Sequence, residues 1–415
     1  MKEKSRTHPR AGRKGIFLFG ASPTFVGTIM GLACLLLLPA ACQQAAKNQA
    51  AEKHPPEDTA ARQDLFPEKT VVKHARGFTL EYHGNYKVVN ILNHFERQAD
   101  TLRYVLVPRG IPAPSHYPGA QVIRIPVRTL VGMSSMQVAL ADFLESAGVL
   151  VGLGSLRYVS SPAVRARIAA GKIKEVGLGG GMNNELLVAL HPDLVMVTGS
   201  PEATFSRYST LTSAGIPVLV NSEWLENSPL GRAEWVKLMA ALLNKEALVN
   251  KKFAPIEQEY RRLAALPKKA ASRPSIITGM PFKGTWTVPD GDSYLVQLLQ
   301  DAATSYAWSG VKGKGNLHLD LERVAPVALQ ADFWLNVGYV DSKADIAARD
   351  VRYKAYRPFR QSAIFNNNKR VNDLGANDYW ESGAVNPHLL LADLIRILHP
   401  ELLPDHELVY YKQLL

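Results

Sequence analysis

Residues 182–197, MNNELLVALHPDLVMV, constrain this chain more than any other stretch. Asn183 or Asn184 caps a helix, and Glu185 sits in its first turn, where the helix dipole favours an acid. Leu186, Leu187 and Leu190 recur at helical spacing, and His191-Pro192-Asp193 stops the helix because proline cannot continue it. Leu194-Val195-Met196-Val197 is apolar at every position, the pattern of a parallel strand buried on both faces. A turn at Thr198–Pro201 leads to a helix expected over 202–214, Gly215-Ile216-Pro217 ends it, and Val218-Leu219-Val220 begins another strand. A helix, turn and strand compressed this tightly predict an α/β sheet. Its strand C-termini would open into short polar loops, where ligands sit in open α/β sheets.

The segment Asn183-Asn184-Glu185, then Ala189-Leu190-His191-Pro192-Asp193-Leu194-Val195, then Gly215-Ile216-Pro217-Val218, resembles the periplasmic substrate-binding proteins of iron-complex and vitamin B12 ABC importers. The likeness runs from about Val122 to His399. It implies an α/β fold with two Rossmann-like lobes joined by a long connecting helix (a class III periplasmic binding protein), with a ligand in the cleft between the lobes.

The formal charge of +11 falls to +6 once residues 1–41 are set aside, and no Arg/Lys stripe interleaved with aromatics argues for nucleic acid. Residues 1–41 read as a signal peptide, with a basic start and the apolar run Phe25–Leu38, too short for a confident membrane span. Pro39-Ala40-Ala41-Cys42 resembles a bacterial lipoprotein cleavage site, which implies a lipid anchor on Cys42 and a periplasmic, membrane-tethered protein. The only other cysteine, Cys34, lies inside the signal, so the mature chain is expected to have neither disulfide nor thiolate metal site.

Residues 42–69 read as a flexible tether, Ala/Gln/Lys/Glu-rich with Pro55-Pro56. An N-terminal α/β lobe is expected over 70–228. It opens with a hairpin around His83-Gly84-Asn85 and strands near 104–107 and 122–127. A helix capped by Ser134 or Ser135, a strand at 149–152 and a helix begun by Ser161-Pro162 follow. Residues 229–266 form the connecting helical segment, in which Pro255 should kink the helix or displace its start. A C-terminal α/β lobe fills 267–415, with helices near 295–303, 320–329 and 387–398 and a strand at 333–337.

Several tempting motifs do not close. Gly152-Leu153-Gly154 follows a strand, but position 157 is Arg157 rather than the third dinucleotide glycine, and Gly177–Gly181 lacks the Lys-Ser/Thr of a phosphate loop. Gly132-Met133-Ser134-Ser135-Met136 lacks the final glycine of a nucleophile elbow. The eleven histidines, His318 and His388 among them, show no metal spacing. No cofactor, metal centre or catalytic set is expected, and the pattern is that of a binding protein rather than an enzyme.

The strand-end loops carry the candidate ligand-binding residues. In the first lobe these are Ser134, Ser135, Arg157, Tyr158 and Ser200; in the second, Phe282, Trp286, Tyr339, Tyr379 and Trp380. Aromatic faces with a few donors suit a large, flat, partly apolar ligand. The resemblance adds that Trp380, in Asp378-Tyr379-Trp380-Glu381 before Asn386-Pro387, stands where the family has a ligand-facing Trp. It also implies that Glu185 and Glu322, one on each lobe, pair with arginines of an ABC permease dimer. The implied ligand is an iron chelate (ferric siderophore), haem or a corrinoid. A metal-ion-binding protein or chelatase-like enzyme on the same fold is the alternative, and would bring His and carboxylates together in the cleft.

Overall fold

The structure is a computed structural model that describes residues 64–92, 101–199, 205–313 and 315–415. The expected signal peptide, Cys42, nearly all of the tether and Ser200 lie outside the described residues.

The first described elements form a sheet of their own. Strands β1 (Phe78–Tyr82) and β2 (Lys87–Leu92) are antiparallel neighbours, joined by the expected turn with Gly84 at φ 67°. Strand β3 (Thr101–Pro108) runs antiparallel to β2, and β4 (Gln121–Ile125) runs parallel to β3. The period of two divides the side chains. Val89, Ile91, Tyr104, Leu106 and Ile123 enter the main core, whereas Val88, Val105 and Val107 form a small outer cluster with Tyr86, Ile111 and Tyr117.

The parallel sheet of the first lobe comes next. It is built from β5 (Leu130–Gly132), α1 (Ser135–Phe143), β6 (Leu150–Leu153), α2 (Pro162–Ala169), β7 (Lys174–Glu175), α3 (Asn184–Leu190), β8 (Leu194–Thr198), α4 (Ser209–Ser213) and β9 (Val218–Asn221). The order is β7-β6-β5-β8-β9, parallel throughout. The opening stretch folds as read: Asn183 Oδ1 accepts the Leu186 N–H at 2.9 Å, His191 closes α3 in the left-handed region at φ 42°, and Leu194–Val197 are buried. The helix expected over 202–214 is reduced, in its described part, to a 3₁₀ turn at Phe205–Tyr208 followed by the short α4. Its sequence, Ser-Thr-Leu-Thr-Ser, explains this: Thr212 Oγ1 donates to the Tyr208 and Ser209 carbonyls. Such side-chain bonds to the backbone weaken helix propensity.

Three helices lead out of this lobe: α5 (Pro229–Glu234), α6 (Val236–Leu243) and α7 (Glu246–Ala265). Every residue of α6 is buried, as in a helix at the centre of a core. Asn244, at φ 52°, separates it from α7. Helix α7 begins at Glu246 and continues past Pro255, so the proline does not displace the start. Val249, Phe253, Ile256, Tyr260 and Leu263 form one buried stripe around it. Burying each such side chain contributes about 1.5–3 kcal/mol. The proline costs about 3 kcal/mol, so the stripe outweighs it.

The second lobe contains β10 (Ser275–Thr278), β11 (Trp286–Pro289), α8 (Tyr294–Asp301), β12 (Ser305–Tyr306), β13 (Asn316–Leu319), α9 (Leu321–Ala328), β14 (Phe333–Leu335), α10 (Lys343–Arg349), α11 (Arg357–Arg360), β15 (Ile364–Asn366), α12 (Ser382–Val385), α13 (Pro387–Leu398) and β16 (Lys412–Gln413). Its sheet runs β12-β10-β14-β15-β16, parallel except for the last pair, while β11 and β13 form a separate antiparallel ribbon. Two Rossmann-like α/β lobes joined through a long helix make this a class III periplasmic-binding-protein fold. The added four-stranded sheet β1–β4 was read from sequence as part of the first lobe and here has its own edges.

Candidate ligand cleft between the lobes

The residues that link the lobes cluster where two strand-end segments meet. The loop after β6 carries Arg157, Tyr158 and Ser160; the segment after β15 carries Asn372, Leu374 and Glu381. Arg157 Nε donates to the Leu374 carbonyl at 3.0 Å, and Asn372 Nδ2 donates to the Val159 carbonyl at 3.0 Å. The Glu381 carboxylate accepts the Ser160 N–H at 2.8 Å and the Ser161 N–H at 2.6 Å. Strand C-termini of the two lobes therefore face a common seam, the place where open α/β sheets bind ligands.

A cavity of about 360 Å³ lies beside these bonds, walled by α1 and the start of α2 on one side and by 370–386 on the other. Its charged groups are Asp142, Arg370, Asp378 and Glu381. Arg370 pairs with Asp378 at 2.9 Å, and Asp378 also accepts the Ser382 hydroxyl at 2.6 Å. Burial pushes the Glu381 carboxyl up to about 7 against the pull of the two N–H donors, with Asp378 and Asp142 adding repulsion.

A smaller recess of about 50 Å³ opens at the ends of β5 and β6 and gathers Ser134, Ser135 and Tyr158. Ser134 is the N-cap of α1; Gln137 Oε1 accepts its N–H at 3.0 Å and that of Met133 at 2.5 Å. The Ser134 hydroxyl is buried with no partner among the described residues. Tyr158 is 54% exposed, with the Arg157 guanidinium 5.7 Å from its ring centre.

The second-lobe candidates divide into two groups. Trp380 is 52% exposed and packs edge-on against Tyr379 at 4.8 Å. Phe282 stands on a tight turn after β10 and Tyr339 on the loop after β14; they are 72% and 100% exposed. Trp286 corrects the expectation: it is fully buried, its indole donates to the Thr278 carbonyl at 2.8 Å, and it packs with Trp334 and Tyr356. The cause is the two-residue alternation of β11, which turns Trp286 and Val288 inward and Thr287 outward. Tyr379 is likewise a core residue at 4% exposure, with Tyr410 and Tyr411 edge-on around it. Neither ring presents a face to the seam.

Among the described residues the exposed large aromatics are Tyr158, Trp224, Phe282, Tyr339 and Trp380, and each follows the C-terminal end of a parallel strand. Sequence reasoning missed Trp224, whose indole donates to the Gly199 carbonyl at 3.0 Å, although its place just after β9 was a usable signal. It also missed Arg370, Asp378 and Glu381 as cavity-lining groups, since isolated charges in a loop carry no spacing signal. Among the described residues no group of three or more His, Cys, Asp or Glu side chains could hold a metal ion. His318, on β13, is paired with the Thr287 hydroxyl of β11, and His388 is a partly buried residue of α13 whose burial lowers its pKa. Glu185 and Glu322 are exposed in the first turns of α3 and α9, behind the N-caps Asn183 and Asp320.

The seam between two parallel-stranded lobes defines a solute-binding architecture, and comparison with known proteins agrees. The family model described as periplasmic binding protein matches residues 143–350, and the chain belongs to that family. An uncharacterised lipoprotein of Methanocaldococcus jannaschii is 24% identical over 80% of this chain and 82% of its own length. Helicobacter pylori CeuE with Ni(II) bound superposes with a TM-score of 0.53 at 17% identity, covering 70% of this chain and 90% of CeuE. The Bacillus subtilis triscatecholate siderophore binding protein FeuA, complexed with ferri-bacillibactin, gives 0.50 at 15% identity over 67% and 94% of the two chains.

Proposed function

We propose that this chain is the substrate-binding component of an ABC importer, capturing an iron complex (ferric siderophore or haem) or a corrinoid between its lobes and delivering it to a permease dimer. No bond is made or broken in that role. The observation that carries the reading is the set of exposed aromatics on strand-end loops of both lobes, together with the seam that 157–161 and 372–381 bridge. Aromatic side chains left in water at the mouths of both sheets suit a bulky, partly apolar chelate. Tyr158, Trp380, Phe282 and Tyr339 supply faces, and Arg157, Ser134 and Ser135 supply polar contacts. Ser200 belongs to the same strand-end set by sequence.

Glu185 and Glu322 are the docking acids in this reading. Both are exposed at helix starts on separate lobes, and opposite charges steer such encounters. Cys42 is the lipid attachment point and 42–69 the tether that keeps the protein at an extracytoplasmic membrane surface. The relative from Methanocaldococcus jannaschii is itself described as a lipoprotein. Mass spectrometry of the exported protein tests this, and an unmodified N-terminus at another residue refutes it.

The ligand is tested by native mass spectrometry after incubation with a ferric tricatecholate, haemin, cobalamin, and bare Fe³⁺ or Ni²⁺. Retention of one of the three complexes is the expected result. Retention of a bare ion alone would favour the metal-ion-binding alternative and overturn the chelate reading.

A further inference from the structure

We infer that Glu381 is a positioning residue that sets the gap between the lobes, by accepting the Ser160 and Ser161 N–H groups across the seam with both carboxylate oxygens. The inference rests on the proposal that this seam holds the ligand. The geometry is specific. Glu381 belongs to the second lobe, immediately after Trp380; its two donors belong to the first lobe, two and three residues after Tyr158. One buried side chain therefore ties an exposed aromatic of one lobe to an exposed aromatic of the other. The contact is not a surface ion pair, since Glu381 is 2% exposed and, among the described residues, no lysine or arginine is bonded to it. Its partners are two backbone donors at the entry to α2, whose first residue, Pro162, has no N–H to offer.

The bridge also responds to protons. The charged groups facing Glu381 around the cavity are Asp142 on α1 and, within its own segment, Asp378 and Arg370; Arg370 is engaged by Asp378. Two like charges and burial therefore stand against the two N–H donors, and burial is the largest effect, placing the carboxyl at about 7. An opened seam would return Glu381 to water and to the ordinary carboxylate range. Closing thus takes up a proton between that range and about 7, and raising the pH through about 7 favours opening.

Amide hydrogen exchange on the ligand-free full-length chain tests this without reference to any ligand. In Glu381→Ala, exchange at Ser160 and Ser161 should rise about tenfold or more at every pH, the loss of two hydrogen bonds to one buried side chain. In the wild type, protection of the same amides, corrected for intrinsic exchange, should fall as the pH is raised from about 5.5 to about 8.5. Glu381→Gln keeps one carbonyl acceptor and cannot titrate, so its protection should be intermediate and flat with pH. Slow exchange at Val195 and Leu219 in the first-lobe sheet reports that each variant is folded. Unchanged protection in folded Glu381→Ala, or a Glu381→Gln profile that tracks the wild type, would overturn the inference. Either outcome leaves the ligand panel to be judged separately. A failed ligand panel with positive exchange results would reject the importer reading and keep the bridge.

Discussion

Replacing Glu234 by glutamine should unfasten residues 71–75 from the helices beneath them. Glu234 is fully buried on α5, and its carboxylate accepts the backbone N–H groups of Lys73, His74 and Ala75 at 2.5–3.0 Å. It also accepts Lys237 Nζ at 2.7 Å, and that ammonium is itself buried, with the Val71 carbonyl as its other partner. Glutamine has nearly the same shape but turns one acceptor into an N–H₂ donor that must face other donors, and it strips Lys237 of its counter-charge. Breaking one side of a buried ion pair costs about 3–5 kcal/mol. With a urea dependence at the upper end of the usual range, about 3 kcal/mol per M, the midpoint should fall by about 1–2 M. Glu259→Gln is the internal control: its pair with Arg262 is half exposed on α7, so the change should cost about 0.5 kcal/mol or less. Both variants can be read in one urea series by far-UV circular dichroism. If the Glu234→Gln midpoint lies as close to wild type as that of Glu259→Gln, the reasoning from buried carboxylates is wrong.

Trp286→Ala should destabilise the chain by about 3–5 kcal/mol through the cavity it leaves, whereas Trp380→Ala should barely move the denaturation midpoint yet weaken binding of whichever chelate the panel retains; thermal melts beside a binding titration separate the two. Glu185→Arg combined with Glu322→Arg should abolish uptake in cells while leaving ligand affinity intact, and unchanged uptake would count against the docking role. For Asp193, burial raises the carboxyl, but Arg109 at 2.5 Å and the Arg128 and Thr129 N–H groups together hold it below its ordinary value. Its contribution to stability is therefore present above the ordinary carboxylate range and lost as the pH falls through the depressed value. Asp193→Asn should be less stable than wild type at neutral pH, with the difference closing in acid, as followed by urea midpoints across that range.

Wherever the deciding interactions lie within a few residues, the sequence was sufficient. The asparagine cap at 183 or 184, the His191-Pro192-Asp193 stop and the apolar run at 194–197 identify α3 and β8, and the Ser161-Pro162 start identifies α2. Repetition of that unit in both halves is enough to predict an α/β sheet in each lobe. Caps, left-handed closures and apolar periodicity act over one helical turn or one strand, so they are written locally. Pro255 does not displace the start of α7, because its penalty is local, while the stripe that outweighs it is buried against elements distant in sequence. Trp286 and Trp380 look alike as aromatics near a predicted loop. The pairing of β11 with β13 turns one into a core, and the turn before α12 leaves the other in water. Glu381 had no signal of its own, because its meaning depends on two N–H groups more than two hundred residues away in the chain. Burial, register and contacts across the seam are properties of surfaces brought together by folding, and only the tertiary structure decides which side chains those surfaces enclose.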